Sequence, residues 1–530
     1  MRARVLAAVV LLVAVGGGPK AHAAEDDARI LHVLRRVTYG PRPGDVERIR
    51  AMGLAAYLEQ QLAPSGIDDR ATDALLATLP TLRMSIPELL QAYPRPDARS
   101  REKVHTGEMS RRDLMEMYPP EKRPARIVGE LQAAKAVRAV MSERQLQEVM
   151  TDFWFNHFNV YAAKGEGRWY VGPYERDVIR SRALGRFPDL LRATAHHPAM
   201  LFYLDNWLSA RPDFVIPSGP QRGRRAGLNE NYARELMELH TLGVDGGYTQ
   251  QDVREVARIF TGWSIDKPQI EARFVFRPRV HDPGAKIILG QRISGGGQQE
   301  GERILDLLAR HPATARFIST KLVRRFVADD PPPALVERVA VAYRQADGDI
   351  VAMLRVIFAA PEFYADDALR AKIKRPFEFV ASALRSIGGT IDAQGGFALA
   401  RAAAAIGEPL YECEPPTGYA DRAESWVNPG ALLARMNFGL ALAHQRVPGV
   451  RVDLAPLTAG ADRSRPAAVL EQLLAAVLQG NVTPETRAVL TTQLGAPEIT
   501  RLTTDDRGPA NTDVEKLLAL VLGSPEFQRR

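Results

Sequence analysis

The chain has 530 residues, 45% of them hydrophobic and 25% charged, and carries a formal net charge of +7 at pH 7. That length and apolar content allow a large packed core and exclude a disordered or low-complexity chain. The single cysteine, Cys413, excludes an intramolecular disulfide, and the basic residues are too dispersed to form a nucleic-acid footprint.

The first residues read as an address. Arg2 and Arg4 precede an apolar run from Val5 to Val15, and Ala21-His22-Ala23 is a small-x-small cleavage site. Residues 1–23 are therefore expected to be a signal peptide, with an exported mature chain starting near Ala24, in the periplasm or outside the cell. Removing Arg2, Arg4 and Lys20 from the +7 leaves +4, a mild excess that suits anionic glycans or a membrane surface better than nucleic acid. The apolar run falls short of the ~20 residues a spanning helix needs, and no later stretch qualifies, so no transmembrane segment is expected.

Helical spacing governs most of the remaining chain. Apolar residues recur at three and four positions over Leu31–Thr38, Pro43–Met52 and Leu54–Leu62, with Pro41 and Gly53 as breaks. From Tyr93 to Arg126 the pattern dissolves into Pro, Arg, Lys and Glu, which reads as an exposed insertion or a long loop. Helices resume at Ile127–Met141, Glu143–Phe158 and Pro188–Leu204, and a second irregular stretch covers residues 209–228. Short β-prone runs, Arg273–Arg277 and Lys286–Leu289, flank His281-Asp282-Pro283-Gly284 and suit a hairpin or irregular β-turn within a loop reaching residue 297. Five more helices follow: Gly301–His311, Pro312–Val327, Pro333–Asp347, Ile350–Phe358 and Pro376–Ile387. A final helical unit runs from Arg465 to Phe527, where Thr483-Pro484 places an N-cap before a first-turn proline. The ending Pro361-Glu362-Phe363 recurs as Pro525-Glu526-Phe527, a stop that halts a helix and folds Phe onto the core. The expected fold is mainly α: one large multi-helix domain over residues 24–450 with a small β-hairpin or irregular β insertion, and a C-terminal helical unit, 451–530, packed on it.

Chemistry-bearing residues concentrate between Asn229 and Trp263. At about 100° per residue, Asn231, Arg234, Glu235 and Glu238 form one polar stripe, while Tyr232, Ala233, Leu236, Met237 and Leu239 fill the opposite arc with His240 in its middle. Glu235 and Glu238, on adjacent turns, can share a proton, a metal or an arginine. Two such carboxylates can divide into acid and base; salt bridges with Arg234 on a solvated face are the plainer alternative. Gly243, Gly246 and Gly247 turn the chain, and Thr249 with Asp252 caps the next helix. His157 lies among Asp152, Trp154, Phe155 and Phe158, surroundings that lock a structural histidine or tune a catalytic one. His281 could ligate a metal, or pair with Asp282, which otherwise merely makes the turn. No nucleophile elbow, His-Glu-x-x-His helix, cysteine metal site or phosphate loop occurs, so no motif demands a cofactor; a divalent metal held by His281 or His240 remains open.

His32–Gly40, Asp152–Phe158, Asn229–Trp263, His281-Asp282 with Lys286, and Trp426-Val427-Asn428 ahead of Leu432-Leu433-Ala434-Arg435 occur in one order. Together they resemble the bacterial domain-of-unknown-function 1800 family over nearly the whole mature chain. The resemblance implies export, a single long helical module and the genetic company of a second exported, sulfatase-like family; it transfers no reaction, cofactor or catalytic residue. Glu412-Cys413-Glu414 departs from the more apolar or basic pattern of similar proteins and leaves that loop's role open. The residues themselves point to a hydrolase-like enzyme acting on a polymer such as a polysaccharide, with Glu235, Glu238 and His157 as catalytic candidates and Asn229, Asn231, Arg234 and Asp282 as binding candidates. The alternatives are a metal-dependent enzyme using His and Glu/Asp ligands, and a non-catalytic binding or scaffold protein beside an exported, sulfatase-like partner.

Overall fold

The computed structural model describes residues 19–217, 222–494 and 512–530. Most of the expected leader, including Val5–Val15, lies outside them; the first helix, Pro19–Val37, runs across Ala21-His22-Ala23. The chain is mainly α-helical, with three two-stranded antiparallel sheets as its only paired strands among the described residues. None of the described helices is long and apolar enough to cross a membrane.

The core is organised around helices that bury more than one face. Ala125–Met141 is lined by Ala133, Ala134, Ala136 and Ala139 and packs against Ala393–Ile406, itself rich in alanine. Small side chains let the two axes approach closely: a Cβ on Gly396 would stand 2.6 Å from the Ala133 carbonyl oxygen. Gln145–His157 follows after a single break, and every residue of Pro376–Ser386 is buried. Burying each large apolar side chain in such a core contributes about 1.5–3 kcal/mol, so the absence of disulfides is no handicap.

Local punctuation sets the boundaries. Thr483 Oγ1 accepts from the Thr486 amide with Pro484 at the first helical position, and Thr249 and Asp252 close a reciprocal capping box. Phe363 and Phe527, the last residues of the two Pro-Glu-Phe stops, are both buried. Between Tyr93 and Arg126 the chain is not one long loop. Asp97 caps a helix over Ala98–Thr106, and a Ser110–Asp113 capping box starts another over Arg111–Glu116, so side-chain caps produce short helices where apolar periodicity is weak.

The two β-prone runs do not pair with each other. β1 (Trp263–Asp266) pairs with β2 (Arg273–Phe276), whereas β3 (Lys286–Ile288) pairs with β4 (Gln291–Ile293). The second hairpin closes through Leu289 and Gly290, both at positive φ (49° and 74°), as a two-residue turn of matching twist requires. β5 (Thr390–Ile391) pairs with β6 (Val450–Arg451), so the 450/451 division falls within β6. Beyond it, Val514–Gly523 lies along Pro429–Ala443, close enough that a Cβ on Gly439 would stand 3.4 Å from the Leu522 side chain.

Candidate functional site

The polar stripe begins on a short α-helix, Asn231–Glu235, that passes into a π-turn over Leu236–Thr241. The Leu242 amide reaches back five residues to the Met237 carbonyl at 2.8 Å, and Thr241 Oγ1 donates to the Leu236 carbonyl at 2.6 Å. Such π-turns are rare and concentrate at functional sites. Tyr232, Ala233, Leu236, Met237 and His240 are buried; Arg234, Glu235 and Glu238 are half-buried and Asn231 is exposed.

Among the described residues, no cation bridges either carboxylate of the pair. Arg234 instead engages Glu230 at 3.3 Å and the Gln250 side-chain oxygen at 2.9 Å. The contact of Glu238 is the Tyr248 hydroxyl at 3.5 Å, long for a hydrogen bond. Desolvation raises the Glu235 carboxyl above its ordinary range, the charge of Glu238 adds to this, and Arg234 offsets part of it.

The Tyr203 hydroxyl donates to the Glu414 carbonyl at 2.5 Å, and burial raises its pKa, with Cys413 and then Glu235 adding to the shift. Asn159 donates to the carbonyls of Cys413 and Pro415, both at 2.9 Å. Lys164 binds the Tyr203 carbonyl (2.6 Å) and the Asp205 carboxylate (2.8 Å). Asn229 donates to the Asp205 carbonyl at 3.3 Å, and Asn231 reaches the Leu204 carbonyl at 3.5 Å. The Glu412-Cys413-Glu414 loop is thereby tied to Tyr203, whose hydroxyl feels the charge of Glu235.

His157 sits elsewhere, in an aromatic cage of Trp154, Phe158, Phe187 and Phe317. The Lys321 ammonium donates to its Nδ1 at 2.8 Å, which leaves Nε2–H to donate to the His240 carbonyl at 3.1 Å. Desolvation, then Lys321, hold His157 well below the usual histidine range and His240 at about 3. Desolvation, then Arg324, bring Lys321 itself down to about 8. The two rings lie 6.1 Å apart, yet neither hydrogen-bonds to Glu235 or Glu238.

His281 and Asp282 go separate ways. Asp282 holds Arg258 through two contacts, 2.7 and 3.0 Å. The His281 ring bonds the Thr261 carbonyl at 2.8 Å through Nδ1 and Glu300 at 3.2 Å through Nε2. Glu300, fully buried, also accepts from Lys286 (2.5 Å) and the amides of Gly296 and Gly297 (2.7 and 3.1 Å). Thr261 Oγ1 lies 3.3 Å from His281 Nδ1, but it already donates to the Arg258 carbonyl and accepts from the Asp282 amide. This hydroxyl–imidazole–carboxylate series is thus a closed strut that pins the Gly295–Gly297 turn. Glu300 was invisible to sequence reading because its partners lie 14 and 19 residues away and meet it only in three dimensions. Tyr203 and Lys321 likewise carry no local signal. Among the described residues no three His, Cys, Asp or Glu side chains converge as a metal ion needs.

Compared with known families, residues 32–529 match the model described as Protein of unknown function (DUF1800). No curated protein and no solved structure matches the chain.

Proposed function

From the geometry of a chain that belongs to the DUF1800 family, we propose an exported, hydrolase-like enzyme acting on a polymer such as a polysaccharide, with Glu235 and Glu238 as its acid–base pair. The observation that carries this reading is that two half-buried carboxylates three residues apart are bridged by no cation among the described residues, although Arg234 immediately precedes them in sequence. Unequal environments assign the roles. Glu235, whose carboxyl desolvation raises, is assigned the acid role toward the leaving group, and Glu238 the base role. Asn229, Asn231 and Arg234 lie along the same side, and the half-buried Tyr248 flanks it with a hydroxyl-bearing ring suited to sugars. His157, with both ring nitrogens engaged, acts by fixing the π-turn through the His240 carbonyl.

The rival reading, a non-catalytic protein working beside an exported enzyme, draws on the outer face of the Pro429–Ala443 helix, where Leu432, Leu433, Met436 and Leu440 stand exposed. One experiment separates them. Wild type, Glu235→Gln and Glu238→Gln are incubated with a panel of envelope and extracellular polysaccharides and new reducing ends are counted. Wild type is expected to cleave at least one, and each variant to lose about 10²–10⁴-fold in rate while remaining folded. Cleavage that survives both substitutions, or none by wild type across the panel, removes the enzyme reading.

A further inference from the structure

A small cavity lies far from the carboxylate stripe in sequence, between the end of the Pro19–Val37 helix, the start of Pro376–Ser386 and the last residues of the chain. It measures about 30 Å³, and Arg35, Lys374, Arg529 and Arg530 line it against two acids, Glu378 and Glu526. Neither acid serves Lys374. Glu378 is bridged by Arg325 at 2.5 Å and Arg530 at 3.0 Å. Glu526 is turned to the amide and hydroxyl of Thr483 at 3.0 and 2.8 Å.

Lys374 is only 8% exposed, and its ammonium rests 3.7 Å over the Phe527 ring with no hydrogen bond or ion pair among the described residues. Burial and the nearby Arg35, Arg435 and Arg530 hold it well below the usual lysine range, against the single opposing charge of Glu378. Arg435 bonds the Gln528 side chain and the Lys374 carbonyl; Arg35 reaches the Leu478 carbonyl and the Gln479 side chain. Neither contacts a carboxylate among the described residues. Beside them the fully buried Arg36 donates to the Ala368 carbonyl and leaves Nε and Nη1 without an acceptor. A buried cation without an ion pair is costly, and Lys374, with the half-exposed Arg35 beside it on the cavity wall, leaves an unmet demand for negative charge there.

We infer that this cavity is a binding site for the oxyanion head of a phosphate- or sulfate-bearing ligand. Lys374 and Arg35 both line the cavity, and a tetrahedral oxyanion takes the guanidinium donors of Arg35 together with the ammonium of Lys374, which the bound anion keeps charged. The floor has room for only a water or two, less than a tetrahedral oxyanion occupies, so the anionic head is seated at the opening of the cavity. The rest of the ligand passes the exposed Arg529 at the mouth.

The test is thermal unfolding of the full chain in sodium chloride and in sodium phosphate or sulfate at matched ionic strength, with glucose 6-phosphate as a head carried on a larger body. Phosphate or sulfate at about 100 times Kd is expected to raise Tm by about 2–4 °C over chloride. Lys374→Met and Arg35→Gln are each expected to abolish that rise. Glucose 6-phosphate acting as well as inorganic phosphate assigns a phosphorylated ligand; inorganic ions acting alone assign a free anion. Equal shifts with chloride overturn the site, as does a full rise retained in Arg35→Gln, the half-exposed position whose variant folds even if Lys374→Met does not.

Discussion

Half-burial beside Glu238 gives Glu235 a raised carboxyl pKa, and that has a thermodynamic sign. The folded chain holds this proton more tightly than the unfolded chain. The resulting stabilisation is complete below 4.5, the unperturbed value, and is lost as pH rises through the folded value, so the ionised group is a net cost at pH 7. Glu235→Gln is therefore expected to match or exceed wild-type Tm at pH 7, by about 1 °C, with the gain gone at pH 4. Differential scanning calorimetry at the two pH values decides it, and a clear loss of stability at pH 7 would show Glu235 to be a structural anchor. The stripe and the inward direction of His240 were legible in the sequence because helical periodicity is a local property. What periodicity could not show is the π-turn, which depends on Thr241 reaching the Leu236 carbonyl, or the loop of Cys413 brought beside Tyr203 from two hundred residues away.

At the scale of elements, the β3–β4 hairpin and the turn after it hang on one carboxylate. Burial pushes Glu300 up, but Lys286, the Gly296 amide and His281 together hold it below its ordinary range. Removing it strands a fully buried ammonium. Glu300→Ala is expected to cost about 3–5 kcal/mol in urea unfolding, whereas Glu300→Leu with Lys286→Met, which removes both charges, should recover most of that loss. A double variant no more stable than the single one would mean the hairpin is held by its backbone and not by the ion pair. Helix ends written in adjacent residues, such as Thr483-Pro484 and Thr249 with Asp252, could be read directly. Strand partners could not: β2 and β3 both look like hairpin arms, and only the core decides that each pairs with a different neighbour, β2 with β1 and β3 with β4.

Across the whole molecule, one buried ionic network ties distant segments together. Arg375, just before Pro376–Ser386, holds Asp152 on the Gln145–His157 helix at 2.8 Å and Glu408 after Ala393–Ile406 at 2.6 Å. Glu378 then links Arg325 on Pro312–Phe326 to Arg530, the last residue. Burial leaves Glu408 raised despite Arg375, but Arg375 and Lys135 pull Asp152 down to about 2, Arg325 and Arg530 pull Glu378 well below the carboxylate range, and Lys372, 3.0 Å from Asp421, lowers that acid. Depressed carboxylates contribute stability that is present above their unfolded pKa values, about 4, and is lost as pH falls through the folded ones. Buried His157 and His240, held below the histidine range, add their own loss, so stability should begin to decline as pH falls below about 6.5 and fall steeply between about pH 4 and 2. Because Arg530 keys the C-terminal helices to Glu378, acid should release both parts together. Hydrogen exchange would then show the amides of Val514–Gly523 losing protection at the same pH as those of Gln145–His157. Earlier loss in Val514–Gly523 would instead divide the chain into two units at the 450/451 boundary, with the ionic network stabilising only the larger.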